Sequence, residues 1–181
     1  MAATGKKKSK SSSASRKPGS ALLVPKTKKK KVIGWREWVR LPDLGIKRIK
    51  AKIDTGARTS ALHAARVTPF TKDGAAYVRF IIHPLQRRRT PEVVCTALVI
   101  DHRNVMDSGG HAELRYIIRT TLKLGKRSWP VEFTLTNRDQ MGFRMLVGRQ
   151  ALRRRYQVDP GRSFVTRKKK LKKRAKKTAA A

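Results

Sequence analysis

Asp54, Thr55, Gly56 and Ala57 place a carboxylate, a hydroxyl, a glycine and a small side chain in one tetrapeptide. A carboxylate at the end of a strand can take a proton from water. Set beside a second, protonated carboxylate it can serve amide hydrolysis, the partner hydrogen-bonding the carbonyl under attack. Gly56 permits a positive φ or the close approach of a neighbour, and the methyl of Ala57 leaves room for a peptide backbone alongside. Asp and Gly are also ordinary turn formers, so the tripeptide alone leaves a plain hairpin turn open. The preceding residues locate it: Ile49, Ala51 and Ile53 alternate with Arg48, Lys50 and Lys52, the period of a half-buried strand, so Asp54 falls where a strand gives way to a turn.

About ninety residues later an apolar run meets a glycine, Met145-Leu146-Val147-Gly148-Arg149, and continues into Gln150-Ala151-Leu152. Taken with Lys52 to Ala64 and with Thr134 to Asp139, this order of motifs is similar to a bacterial family of retropepsin-like proteins. That family is often labelled "ATP-dependent zinc protease" and is associated with ATP-grasp amino-acid ligases. The resemblance covers roughly residues 32–166. It implies an all-β fold, a retropepsin-like closed β-barrel with one short C-terminal helix, working as a homodimer. The activity it implies is that of an aspartic endopeptidase. With one Asp-Thr-Gly per chain, the water-activating pair must then be two Asp54 carboxylates across a two-fold axis. Thr55 would cross-link the two turns, Gly56 would hydrogen-bond the substrate backbone, and Leu146 to Arg149 would pass behind the turn and enter the helix. One position departs from the pattern: many retropepsins carry an acid after Asp-Thr-Gly-Ala to pair the arginine of the second motif, and here Arg58 stands there. Arg149 must find another acid, or the two arginines serve an acidic substrate.

Other chemistries have weaker carriers. Cys95, His63, His102, His111 and Glu113 are the candidate metal ligands, but no His-Glu-x-x-His helix and no paired cysteine spacing occurs, and no metal is expected to be required. No cofactor is expected either: phosphate-cradling Gly-Lys-Ser/Thr spacing is absent, so any ATP requirement belongs to a ligase partner. Cys95 excludes an intrachain disulfide and, lying in the apolar run Val93–Ile100, reads as a buried structural thiol.

The charge is extreme, 46 Lys and Arg against 11 Asp and Glu over 181 residues, a net +35. Residues 1–31 and 167–181 are rich in Lys and hold no acid, and with almost nothing to bury they are expected to be disordered tails flanking one domain, residues 32–166. Such a balance attracts polyanions: nucleic acid, the ribosome or an acidic peptide. It also supports a second function class, a non-catalytic basic β-domain binding nucleic acid or the ribosome. The apolar run Ala21–Pro25 is too short for a signal or a membrane span, so a cytoplasmic protein is expected.

The elements that must position Asp54 are read as strands. Val32–Arg40 and Ile46–Ile53 form a hairpin around the Pro42–Gly45 turn, followed by a strand from Ser60 to Val67 and another from Ala76 to Ile82 after the Lys72-Asp73-Gly74 turn. His83–Glu92 reads as an exposed loop and Val93–Ile100 as a buried strand. Asp101–His111 reads as a mobile flap with Ser108, Gly109 and Gly110 at its tip. Glu113–Leu124, Ser128–Thr136 and Phe143–Val147 complete the strands of the core, a short helix begins at Arg149, and Val158–Val165 adds an edge strand.

Overall fold

The computed structural model describes residues 1–2, 30–106, 110 and 112–166. The two expected tails, apart from a few residues at their margins, and Ser108, Gly109 and His111 of the expected flap tip lie outside them. The described chain is all-β with one short helix. Its strands are β1 (Lys31–Leu41), β2 (Ile46–Asp54), β3 (Ser60–His63), β4 (Ala65–Lys72), β5 (Ala75–Ile82), β6 (Val93–Met106), β7 (Ala112–Leu124), β8 (Arg127–Thr136), β9 (Met145–Gly148) and β10 (Tyr156–Ser163), with α1 (Arg149–Leu152) between the last two.

The hairpin feeding the site forms as its alternation dictates. Ile46, Ile49, Ala51 and Ile53 of β2 turn inward while Lys50 and Lys52 turn outward. Pro42 opens a single 3-10 turn, and Gly45, at φ +67°, closes it in a backbone region that costs a side-chain-bearing residue free energy. Neighbouring strands run in the order β10-β1-β2-β9-β3-β8-β7-β6-β5-β4, and β1 also touches β7 through Val39–Leu124 and Arg40–Lys123. The core gathers the inward-facing side chains of these strands. Ile33, Leu41, Ile49, Leu62, Phe80, Ile118, Leu122 and Phe133 are almost wholly buried there, each worth about 1.5–3 kcal/mol of transfer free energy.

Four expectations need correction. The strand read from Ser60 to Val67 is two strands: at His63 and Ala64 the backbone N–H groups leave the ladder for Arg144 O and Thr136 O, and the chain changes partner from β8 to β5. The Asp101–His111 flap loop is strand as far as Met106, because its residues pair register by register with β7 up to Met106–Ala112. Val93–Ile100 is two-faced rather than buried, with Cys95 inside and Val94 and Leu98 outside. The His83–Glu92 loop is exposed as expected at Leu85 and from Arg87 to Glu92, and it is anchored through its backbone. Arg144, itself buried, donates through Nη1 to the carbonyls of His83 (3.2 Å), Leu85 (2.9 Å) and Arg88 (2.7 Å), and through Nη2 to Asp139 (3.1 Å). The edge strand also begins earlier than expected, at Tyr156, and pairs in parallel with β1.

A carboxylate hidden in the polar alternation of β1 fastens the C-terminal segment. Glu37 has no exposed surface, and it accepts the N–H of Gly34 (2.8 Å), of Val165 (2.8 Å) and of Thr166 (3.2 Å), together with the Thr166 hydroxyl (2.8 Å). These four donors are what make a buried carboxylate tolerable here.

Candidate active site

Asp54 ends β2, and the turn it opens holds it. Its Oδ1 accepts the N–H of Gly56 and of Ala57, both at 3.0 Å, while Oδ2 receives Lys52 Nζ at 3.0 Å. Burial pushes the carboxyl pKa up, the largest single effect. The Lys52 ammonium and the two turn amides together outweigh it, so the net direction is down and the ionised form is favoured. Thr55 and Gly56 are exposed at the outer lip of the turn, where a second molecule or an extended chain can reach them, and Ala57 is half-buried.

The second motif is fitted behind this turn. Parallel pairing of β2 with β9 sets Gly148 beside Asp54. A Cβ on Gly148 would stand 2.2 Å from Thr59 O and 2.5 Å from Thr59 C, so only hydrogen fits. Its N–H donates to Ser60 Oγ at 3.1 Å. The next two amides, orphan donors at the start of α1, find the carbonyls of the turn: Arg149 N–H to Ala57 O at 2.8 Å and Gln150 N–H to Arg58 O at 3.1 Å. Backbone bonds thus tie α1 to the Asp54 turn. Both Arg58 and Arg149 point to solvent, and no ion pair among the described residues includes Arg149. Leu146 and Val147 are buried beneath the turn.

Further cations gather round the carboxylate. Burial, the neighbouring Arg115 and the opposing pull of Asp54 act on Arg138, whose pKa moves down on balance; its Nε donates to Phe143 O at 3.2 Å. On β7, Glu113 Oε2 receives Arg115 Nε (2.7 Å) and the Thr136 hydroxyl (3.0 Å). His63 ends β3 and accepts the N–H of Arg138 at Nδ1 (2.9 Å). Burial pushes its pKa down, Asp139 at 3.8 Å opposes, and Arg144, His83 and Arg138 push the same way as burial. Cys95 donates to Leu44 O at 3.5 Å and its thiol is pushed up to about 11 by burial, an inert structural position. Among the described residues no three of His63, Cys95, His102 and Glu113 converge on one point.

The structure thus brings together Asp54, Thr55, Gly56, Ala57 and the run Leu146–Arg149 at one place, and leaves Gly110, φ +83°, at the far end of the β6–β7 hairpin. Sequence reasoning missed Lys52 as the partner of Asp54, although position 52 shares its strand face by simple alternation. It also missed Ser60, Arg144 and Glu37, whose roles rest on residues 88, 56 to 61 and up to 129 positions away.

Among known proteins, the profile of the family described as "Retropepsin-like aspartic endopeptidase RimB" matches residues 32–169. The chain is 47% identical over 133 residues to a protein named probable alpha-L-glutamate ligase from Shewanella pealeana, and 50% identical over 131 residues to one of the same name from Desulfotalea psychrophila. These matches cover 74% and 72% of this chain but 29% and 28% of the relatives, so the chain spans under a third of the length of those proteins. The crystal structure of a Legionella pneumophila protein of unknown function (DUF785) superposes with a TM-score of 0.65 at 26% identity, covering 77% of this chain and 100% of the other. No helix among the described residues is long and apolar enough to cross a membrane.

Proposed function

Because the chain belongs to the RimB-like family of retropepsin-like aspartic endopeptidases, we propose that two copies combine, each giving one Asp54, into a peptidase that cleaves acidic, glutamate-rich peptides. The observation that carries this reading is Asp54 itself, an accessible carboxylate fixed by two turn amides with Gly148 seated behind it. One carboxylate cannot be both base and acid. In the pair, the ionised Asp54 takes a proton from water as the water oxygen attacks the amide carbon. The protonated Asp54 of the second copy hydrogen-bonds the developing oxyanion, and the leaving nitrogen collects a proton as the C–N bond breaks. The strand circuit β1-β2-β9-β3-β8-β7, returning to β1, is read as a closed barrel that presents both turns on the two-fold axis. The β6–β7 hairpin, with Ser108, Gly109 and Gly110, is read as the flap.

The substrate class follows from charge and kinship. Lys52, Arg58, Arg138 and Arg149 surround the turn or stand next to it in the chain, and the longer relatives bear the name of a glutamate ligase, which points to a cytoplasmic peptidase trimming what such a ligase makes. The catalytic unit is taken as residues 32–166. A chain trimmed to it should unfold cooperatively and keep its turnover, while losing the salt-sensitive polyanion affinity assigned to the tails.

Asp54→Asn tests the site. The variant should fold and lose turnover. After equal amounts of parent and variant chains exchange, only about one dimer in four carries two aspartates, whereas a one-chain enzyme keeps about half its sites. Activity near one half, with exchange confirmed by mass, would refute the shared site; turnover by Asp54→Asn alone would refute Asp54 as the catalytic group, and a parent chain without turnover whose polyanion affinity survives Asp54→Asn would leave a basic binding domain.

A further inference from the structure

Antiparallel pairing sets Arg36 opposite Lys52 and Trp38 opposite Lys50. The outward face of β1 and β2 therefore carries Arg36, Trp38, Arg48, Lys50 and Lys52 before it reaches Asp54, which is the only carboxylate on it: the other acid of these strands, Glu37, faces the interior. Arg48 lies flat on Trp38, its Cζ 3.7 Å from the ring centre, and Lys50 Nζ is 5.7 Å from the same ring. Phe164 stacks on Trp38 at 5.6 Å. A guanidinium stacked on a ring keeps its N–H edge free for an anion, and its position is set by the ring. No ion pair among the described residues involves Arg48 or Lys50.

Beside these cations runs a groove of about 250 Å³ lined by Trp38, Lys50, Pro84, Leu85, Gln86 and Arg88. Its outer wall is the loop whose carbonyls at 83, 85 and 88 are gripped by Arg144. The wall is therefore preformed, and an incoming chain does not have to order it.

Resting on the reading of Asp54 as the catalytic group, we infer that Arg48, Lys50 and Arg88, with the Trp38 groove, form a distal subsite that holds the acidic flank of a polypeptide while its scissile bond lies at Asp54. Side chains on one face of a strand recur every two residues, about 6.6 Å apart, and those of an extended peptide do the same. A chain of acids laid along β2 therefore meets a cation at each repeat, Lys52, then Lys50, then Arg48, as it leaves the catalytic turn. Loose surface lysines offer no such register.

The test separates binding from chemistry by using the full chain carrying Asp54→Asn. A fluorescent decapeptide with glutamates on both flanks is titrated against this protein, and against the same protein with Arg48→Gln and Lys50→Gln added. The expected result is at least a tenfold weaker Kd for the added pair. A control pair elsewhere, Lys72→Gln with Lys126→Gln, should bind as the parent does although its net charge falls equally. A peptide with glutamates only at the two positions flanking the scissile bond should show no difference between parent and Arg48/Lys50 variant, since it cannot reach the subsite. Thermal melts confirm that each variant is folded. Equal loss in the control pair would overturn the proposal in favour of a net-charge effect. Displacement of the peptide by a single-stranded oligonucleotide of equal charge, with tighter binding to the same residues, would overturn it in favour of a nucleic-acid surface. Turnover by the Asp54→Asn protein would strike the catalytic reading alone, because the binding result stands without it.

Discussion

Lys52 and Asp54 share one face of β2, and the lysine ammonium sits 3.0 Å from the carboxylate oxygen that the turn amides leave free. A peptidase dyad needs one ionised and one protonated carboxyl, and this lysine favours ionisation. In the proposed dimer the apposed carboxylate of the second copy would oppose it.

Replacing Lys52 by Met removes an influence that lowers the Asp54 pKa, so that pKa should rise. Activity needs one ionised Asp54, and the acid limb of kcat/KM against pH should therefore move to higher pH. A limb that stays in place, with turnover intact, would mean Lys52 does not set the ionisation of the site.

The two lowered carboxyls also give stability a pH dependence. Asp43 is lowered chiefly by the Thr121 N–H at 2.7 Å, and Asp54 as described. A depressed folded-state pKa stabilises the fold fully above the ordinary value of 3.8, and that contribution is lost as pH falls through the lowered values. Urea midpoints of the parent should drop below about pH 4, and Asp43→Asn should flatten the drop.

Glu37→Ala should cost about 3 kcal/mol or more, because three backbone N–H groups and a hydroxyl lose one buried acceptor. Denaturant unfolding gives the magnitude. Faster amide exchange at Val165 and Thr166 would show where the damage lies, and unchanged exchange there would contradict the clamp.

Gly148→Ala forces a methyl against Thr59 O, a backbone atom that cannot swing aside. Overpacking of this kind costs about 1–3 kcal/mol. Turnover should fall further than stability does, since the displaced carbonyls belong to the turn that carries Asp54; kcat measured well below the melting temperature separates the two effects.

Chelation should spare hydrolysis, because the proposed nucleophile is a water held by carboxylates, and a peptide mimic with a hydroxyl at the scissile position should inhibit. Turnover abolished by chelator and restored by zinc, with the fold unchanged, would sink the aspartic mechanism.

What was legible from the chain was local. The alternation of Ile49, Ala51 and Ile53 revealed β2 and the position of Asp54, because that signal lies within a few residues of its effect, whereas the placing of Leu146 to Arg149 behind the turn came from the resemblance. The Asp101–Met106 strand was hidden because Asp, His, Arg and Asn have weak strand preference, and it forms through pairing with β7. Arg144 was hidden for a different reason: an arginine, even beside an apolar run, reads as surface, and only the fold shows three carbonyls converging on it.

The parallel pairing of β10 with β1 carries a consequence for architecture. Lys31 pairs with Tyr156, and Lys31, Val32, Val165 and Thr166 border a common hollow, so residues 31–32 and 165–166 meet at one corner. A unit whose two ends meet can be spliced into a host protein like a cassette, or relinked end to end and reopened elsewhere, without disturbing the strands that carry Asp54. Any module joined at either end would hang from this corner.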